Sequence, residues 1–437
     1  MGNLMNSYFY GKAGQGDYTV EQMPTTRKQL FFTTLKVRFS SMIGLNLVYL
    51  LFVLPLILWV FVAWQTVTLY LTDEAYTLGG DEMEAAYYEY ADLKERYTAI
   101  TDVDTTLATL NNTLEGIEYD IAQVKEGKEV LIEVPAVVEG GESTTRAVTL
   151  EELETQKAET EAAIAEAEAN KLLGEDEEYM EELKTEYSEA YSLYYQYNRA
   201  AMNGNISMSL LIMIPLIALA GVGHTGQMYV LRNWARDEHA FMWQDFKNAI
   251  KGNWKQGLLV GIFNGLSIFL FFTAYVTYGN MASAYGKFYI VPQMLMVVML
   301  VLWWMMNEII FPMMVTYDMK LKQLLKNSLI MVLAKLPISF VILLGIVAVP
   351  LLIYFLIPYP AISMLILIVI YGLFGFSLVG FIKASYANSL FDKFLNPRIE
   401  GAEVNKGLYK PEDDDDEPEE KQEEPAKEDR FWEHKTE

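Results

Sequence analysis

The sequence predicts an all-α polytopic membrane protein with six transmembrane helices. It adds an extracytoplasmic antiparallel coiled-coil hairpin carrying a small β-hairpin tip. Three observations lead there. Six apolar runs approach or exceed the roughly 20 residues that cross a bilayer as a helix. Acidic residues collect away from those runs: 33 acidic against 9 basic residues lie between Asp73 and Asn203, and 14 against 4 between Pro411 and Glu437. A heptad-like apolar seam runs through the first of those acidic segments. The formal charge of −24 over 437 residues therefore belongs to two segments, and the remainder is apolar and net basic. A single soluble globular domain is excluded. The chain has no cysteine, which excludes disulfides, thiolate metal sites and cysteine nucleophiles.

Residues 1–41 read as a cytoplasmic N-terminal segment with an amphipathic helix, and 42–64 as the first transmembrane helix, an uncleaved anchor. The apolar runs are Met42–Ala63, Ile206–Val222, Leu258–Val276, Tyr289–Val315, Leu336–Ile357 and Ala361–Gly380. Pro358-Tyr-Pro360 separates the last two as a tight turn. Lysine and arginine fix the orientation. Arg27, Lys28, Lys36 and Arg38 precede the first run; Arg232, Arg236, Lys247, Lys251 and Lys255 lie between the second and third. Lys320, Lys322, Lys326 and Lys335 lie between the fourth and fifth, and Lys383, Lys393 and Arg398 open the tail. The opposite side has Lys287 and the acidic segment. The positive-inside rule puts both termini in the cytoplasm of a bacterial plasma membrane and residues 65–205 outside.

Within 65–205 the seam runs through Met83, Ala86, Tyr90, Leu93, Tyr97, Ile100, Val103, Leu107, Leu110, Leu114, Ile117, Ile121 and Val124. Its alternation of three and four residues breaks once, near Ile100–Val103. A returning seam uses Leu150, Leu153, Lys157, Thr160, Ile164 and Ala167. It resumes after Gly174 at Met180, Leu183, Tyr187, Ala190, Tyr194, Tyr197 and Ala201. Between them, about 129–148 reads as a β tip, and Thr149 with Glu152 forms a capping box. Tyrosines crowd the base: Tyr87, Tyr88, Tyr90, Tyr187, Tyr191, Tyr194, Tyr195 and Tyr197. They suit packing of the helix pair; a sugar-stacking platform is the alternative.

Residues 206–395 read as a five-helix transmembrane body with a cytoplasmic loop at 224–256. In that loop Phe241, Trp243, Phe246 and Trp254 interleave with Lys247, Lys251 and Lys255, the pattern of an amphipathic helix on anionic lipid. Membrane lipids are the expected partner there, and nucleic acid is not. Phe246-Lys-Asn-Ala-Ile250, Leu325-Lys-Asn-Ser-Leu329 and, more loosely, Thr34-Leu-Lys-Val-Arg38 precede successive pairs of runs. They suggest three units of one amphipathic helix and two spans. Polar residues inside the runs are few: Asn46 and Asn264, suited to bonding across helices, Asn307 and Glu308, with Lys335 placed either to snorkel or to partner Glu308. Intramembrane ionisable groups are costly unless paired, so Glu308 is either a polar clamp or part of an ion or proton path. No catalytic, cofactor-binding or metal motif is present. Residues 396–437 read as a disordered acidic tail.

Leu45-Asn-Leu-Val-Tyr-Leu-Leu-Phe-Val-Leu-Pro55 and Thr225-Gly-Gln-Met-Tyr-Val-Leu-Arg-Asn-Trp-Ala-Arg-Asp-Glu-His239, with Trp243-Gln-Asp-Phe-Lys-Asn248 and Asn253-Trp-Lys-Gln256, resemble the YesL-like family, a bacterial membrane domain of unknown function 624. The similarity covers about 30–63 and 206–395, and Pro215–Gly223 looks like a family motif displaced by an insert of about 150 residues. The resemblance implies Gram-positive bacteria, a link to carbohydrate utilisation and association with sugar ABC transporters. It implies no catalytic residues. The expected role is a non-enzymatic accessory, assembly or sensing protein whose external coiled coil binds a partner or self-associates. A transporter or export-permease subunit is the alternative, and a membrane-embedded lipid or glycan enzyme a weaker one.

Overall fold

The computed structural model describes residues 23–134, 144–357 and 359–409. The chain divides into two compact units, Met1–Val60 with Ser209–Glu437, and Phe61–Met208. Helix α1 spans Arg27–Leu71, α2 Asp81–Thr101, α3 Val103–Lys125, α4 Leu150–Gly174 and α5 Glu177–Trp234. Then come α6 Met242–Tyr285, α7 Ile290–Thr316, α8 Leu321–Ala334, α9 Leu336–Leu356, α10 Pro360–Ile370 and α11 Phe376–Phe394. Strands β1 Leu131–Val134 and β2 Thr144–Ala147 pair antiparallel, with Leu131 opposite Ala147. Among the described residues six helices are long and apolar enough to cross a membrane, one for each apolar run of the sequence.

In the body, the buried core joins Met42 and Leu45 of α1, Met228, Leu231 and Trp234 of α5, and Ile309, Ile310 and Met313 of α7. Phe381, Ala384 and Phe391 of α11 complete it. Lipid gives no hydrophobic drive between helices, so small residues that admit close backbone contact decide which helices meet. Gly257, Gly261 and Gly265 recur every fourth residue on α6. A Cβ on Gly261 would stand 2.6 Å from the Ala218 Cα, and one on Gly265 2.9 Å from the Ile214 Cα. On the facing side, a Cβ on Gly221 would stand 2.5 Å from the Gly257 carbonyl oxygen. These glycines let α5 and α6 touch backbone to backbone.

The second unit has the opposite polarity. Every seam position between Met83 and Val124, and its return between Leu150 and Ala201, is buried or half-buried, and acidic residues fill the outer positions. The pairing is antiparallel. Lys157 Nζ lies 2.5 Å from Glu118, Lys171 Nζ 2.9 Å from Asp104, and Lys125 Nζ 3.7 Å from Glu154. The break between α2 and α3, at Asp102, falls where the seam loses its alternation. Opposite it, Ile100 Cγ2 sits 3.0 Å from where Gly174 would carry a Cβ, and the return chain also breaks there, between α4 and α5. Two adjacent steps of three overwind the seam, and both strands of the pair interrupt their helices to absorb it.

Residues 396–409 of the segment read as a disordered tail lie among the described residues. The tail is placed as far as 409: Tyr317 Oη donates to Asn396 Oδ1 at 2.6 Å, Lys406 Nζ lies 3.5 Å from Glu238, and Tyr409 N donates to Pro24 O at 2.9 Å. The acidic run itself lies outside the described residues, as do 135–143 of the β tip and Pro358. The turn of the last two spans is observed as the gap from Leu356 to Pro360.

Candidate functional site

One cluster of buried polar residues in the body draws on five helices. Its frame is a widened helical turn, Tyr371–Gly375, between α10 and α11. Such a turn lets carbonyls escape their usual partners, and in lipid each must be met from within the protein. Asn46 of α1 does this in both directions. Its Nδ2 donates to Tyr371 O at 2.9 Å and Gly372 O at 2.8 Å, while its Oδ1 accepts from Ser377 N at 2.9 Å. Asn46 thus plugs the widened turn from a helix far away in sequence.

Gln227 of α5 continues the network. Its Nε2 donates to Ser377 Oγ at 3.2 Å, which leaves Oε1 to accept from His224 Nδ1 at 3.0 Å. That arrangement assigns the proton of a neutral His224 to Nδ1. The ring packs edge-on against Phe311 of α7, centroids 4.5 Å apart, with Tyr49 of α1 at 5.6 Å. Three residues before Phe311, Glu308 is fully buried and neither of its carboxylate oxygens has a hydrogen-bond donor. The charge that acts on it is Lys383 of α11, and Glu308 acts in turn on Tyr386, whose hydroxyl lies 2.6 Å from Ser339 Oγ of α9.

Sequence reasoning found Glu308 and offered Lys335, to snorkel or to pair with it; the charge that acts on Glu308 is Lys383. Lys335 sits in the break between α8 and α9, where its backbone N–H caps Met331 and Val332. Lys383 looked like a topogenic charge at the start of the tail because it stands near the inner end of its run. The α11 helix turns it inward instead. His224, read as the first residue of a loop, lies inside α5. Asn264 does bridge helices, accepting from Trp303 Nε1 at 2.9 Å. Asn307 donates to Trp303 O of its own helix at 2.9 Å, and its Oδ1 is buried without a partner.

The basic-aromatic segment is helical as expected and belongs to the start of α6. Phe241, Trp243, Lys247, Lys251, Trp254 and Lys255 are exposed, with Lys247 Nζ 5.1 Å from the Trp243 ring and Lys255 Nζ 5.6 Å from the Trp254 ring. Phe246 is the exception. It is 1% exposed and fills the notch left by Gly226, whose Cβ would stand 2.8 Å from its ring. A residue three positions from Trp243 on a helix of 3.6 per turn is rotated about 60° away from that face. Here the rotation carries Phe246 into the core. Ala249 and Ser328, equivalent in the two closest internal repeats, are both buried, while Lys247 and Lys326 are both exposed. The loop before α6 is locked by Glu238, whose carboxylate meets Arg232 Nη1 at 3.0 Å and Arg236 Nε at 3.2 Å. Asp237 turns the chain there at φ 56°.

Residues 204–275 match the family described as Protein of unknown function, DUF624. The matched stretch contains His224, Gln227, the Glu238 lock and the whole glycine face between α5 and α6, whereas Glu308 and Lys383 fall beyond it. No curated protein and no solved structure matches the chain.

The tyrosine cluster of the second unit resolves toward packing. Tyr90 stacks on Tyr194 at 5.3 Å and 8°, and Tyr97 on Tyr187 at 5.3 Å and 2°, all inside the helix pair. Tyr194 Oη donates to Asp73 at 2.7 Å. Tyr88, Tyr191 and Tyr195 remain exposed.

Proposed function

We propose that the chain is a non-enzymatic integral membrane accessory, assembly or sensing protein of a bacterial plasma membrane. In this reading both termini are cytoplasmic and 65–205 form an extracytoplasmic coiled-coil hairpin that binds a partner or self-associates. The observation that carries it is how unit Phe61–Met208 spends its side chains. The seam takes up most of the apolar and tyrosine groups, and the outer faces are left mainly acidic and open. A spanning protein needs no such arm for its own stability. The exposed Trp243, Lys247, Lys251, Trp254 and Lys255 suit the anionic inner leaflet, with lysine heads at the headgroups and indoles at the interface. The resemblance adds a link to carbohydrate uptake or utilisation, with an ABC transporter as the natural neighbour.

A transporter or permease subunit is the second reading, and the observation favouring it is the buried polar cluster that draws on five helices. The test is gentle-detergent purification from the native membrane of the intact chain and of a form lacking Asp81–Met202. Membrane or cell-surface proteins that co-purify with the first and vanish from the second support the docking arm. Co-purification with neither form, together with solute movement in liposomes, moves the permease reading ahead.

A further inference from the structure

We propose that Glu308 is a proton-exchange site inside the body, taking up and releasing one proton beside Lys383. The proposal stands on geometry and holds whichever role the helix pair has. Glu308 is 0% exposed and, among the described residues, neither of its oxygens has a donor, so no described residue compensates a carboxylate held there by direct hydrogen bonding. A carboxylate removed from water and donors is stable only if it meets a cation or takes up a proton. Lys383 is close enough to act on it electrostatically yet makes no hydrogen bond to it. The pair is therefore coupled and not closed.

The other titratable groups around it are few. From α11 come Lys383 and Tyr386, the latter engaged with Ser339 of α9; from α5 comes His224, which feels Lys383 and is held by Gln227. Tyr49 of α1 lies beyond His224. Among the described residues no second carboxylate acts on Glu308. That selects the ligand. A metal cation of the hard class needs about six oxygen ligands and would be repelled by Lys383, whereas a proton needs one oxygen. Uptake forms one O–H bond on the Glu308 carboxyl, with the proton drawn from hydronium in the surrounding water; no electrons change hands. Each uptake raises the charge of the cluster by one. A change of one charge among α5, α7, α9 and α11 gives those helices two electrostatic states.

The experiment uses the full chain in detergent or nanodiscs. A membrane-permeant carbodiimide, which consumes protonated buried carboxyls, is applied across a pH series and the modified peptide identified by mass spectrometry. Glu308 is expected to be modified in acid, with modification falling about tenfold per pH unit beyond a single midpoint and unchanged by sodium. Infrared difference spectra of the same series should contain a titrating protonated-carboxyl band that Glu308→Gln removes while leaving helix content intact. Lys383→Met should move the midpoint and Lys335→Met should leave it in place. A titrating band unchanged in Glu308→Gln, protection by sodium, or a midpoint indifferent to Lys383→Met would each overturn the proposal.

Discussion

The body and the helix pair are built from the same element under opposite rules of exposure. In the body apolar side chains both fill the core and cover the outside, α5 and α6 meet through glycine, and polar groups such as Asn46, Gln227 and Glu308 are turned inward. In the pair the apolar and tyrosine groups are turned in, and carboxylates cover the outside. The difference teaches where stability comes from in each. The pair is held by burial of side chains from water. The body is held by close backbone contact and by satisfying polar groups that have no water to turn to.

The largest effect expected from breaking that contrast is in the pair. Tyr90 is 6% exposed and stacks on both Tyr187 and Tyr194. Tyr90→Ala should lower stability by about 3–4 kcal/mol, read as lost hydrogen-exchange protection confined to 81–201. Gly261→Leu strikes the body where a side chain would enter the Ala218 backbone. It should cost about 2–3 kcal/mol, read as loss of a monodisperse detergent-solubilised protein, with protection in the pair unchanged. A smaller effect follows from Asn46→Ala, which strips two carbonyls at Tyr371 and Gly372 of their donor. About 1–2 kcal/mol is expected, along with faster exchange across Tyr371–Ser377.

The smallest effect sharpens the contrast through pH. Thr149 Oγ1 accepts from Glu152 N at 3.3 Å, and Glu152 accepts from Thr149 N at 3.0 Å. Thr149→Ala should cost about 1 kcal/mol at the start of α4. Arg146, then the Thr149 backbone N–H, hold the Glu152 carboxyl down to about 2. A depressed carboxyl stabilises the folded cap fully above the ordinary glutamate range, and that contribution disappears as pH falls through that range toward about 2. Glu152→Gln should flatten the acid dependence of exchange in 149–153. An unchanged acid profile would remove the cap from consideration.

The legible parts of the molecule were those written as periodicity. Six apolar runs, the seam with its one irregular step, the β pairing and the Thr149–Glu152 box all follow from spacing, and the described structure carries each of them. The spacing of Gly257, Gly261 and Gly265 was equally readable, as a small residue every fourth position. What spacing does not encode is which neighbour a polar side chain meets. Lys383 and Lys335 both stand at the inner edge of an apolar run, and only the packing of α11 against α7 turns one of them toward Glu308. Phe246 differs from Trp243 by less than one helical turn, which is enough to exchange exposed surface for core. The widened turn at Tyr371–Gly375 has no compositional mark at all; Asn46, its plug, lies more than three hundred residues earlier in the chain.

Because the chain has no cysteine, the sidedness on which the functional reading rests is open to a direct test. Glu115→Cys on the exposed face of α3 and Lys251→Cys on the exposed face of α6 would be made singly and treated in intact cells with a membrane-impermeant maleimide. Labelling of Glu115→Cys in intact cells, with Lys251→Cys labelled only after lysis, is the predicted result. Labelling of Lys251→Cys in intact cells with Glu115→Cys protected would contradict an external helix pair and, with it, an external partner.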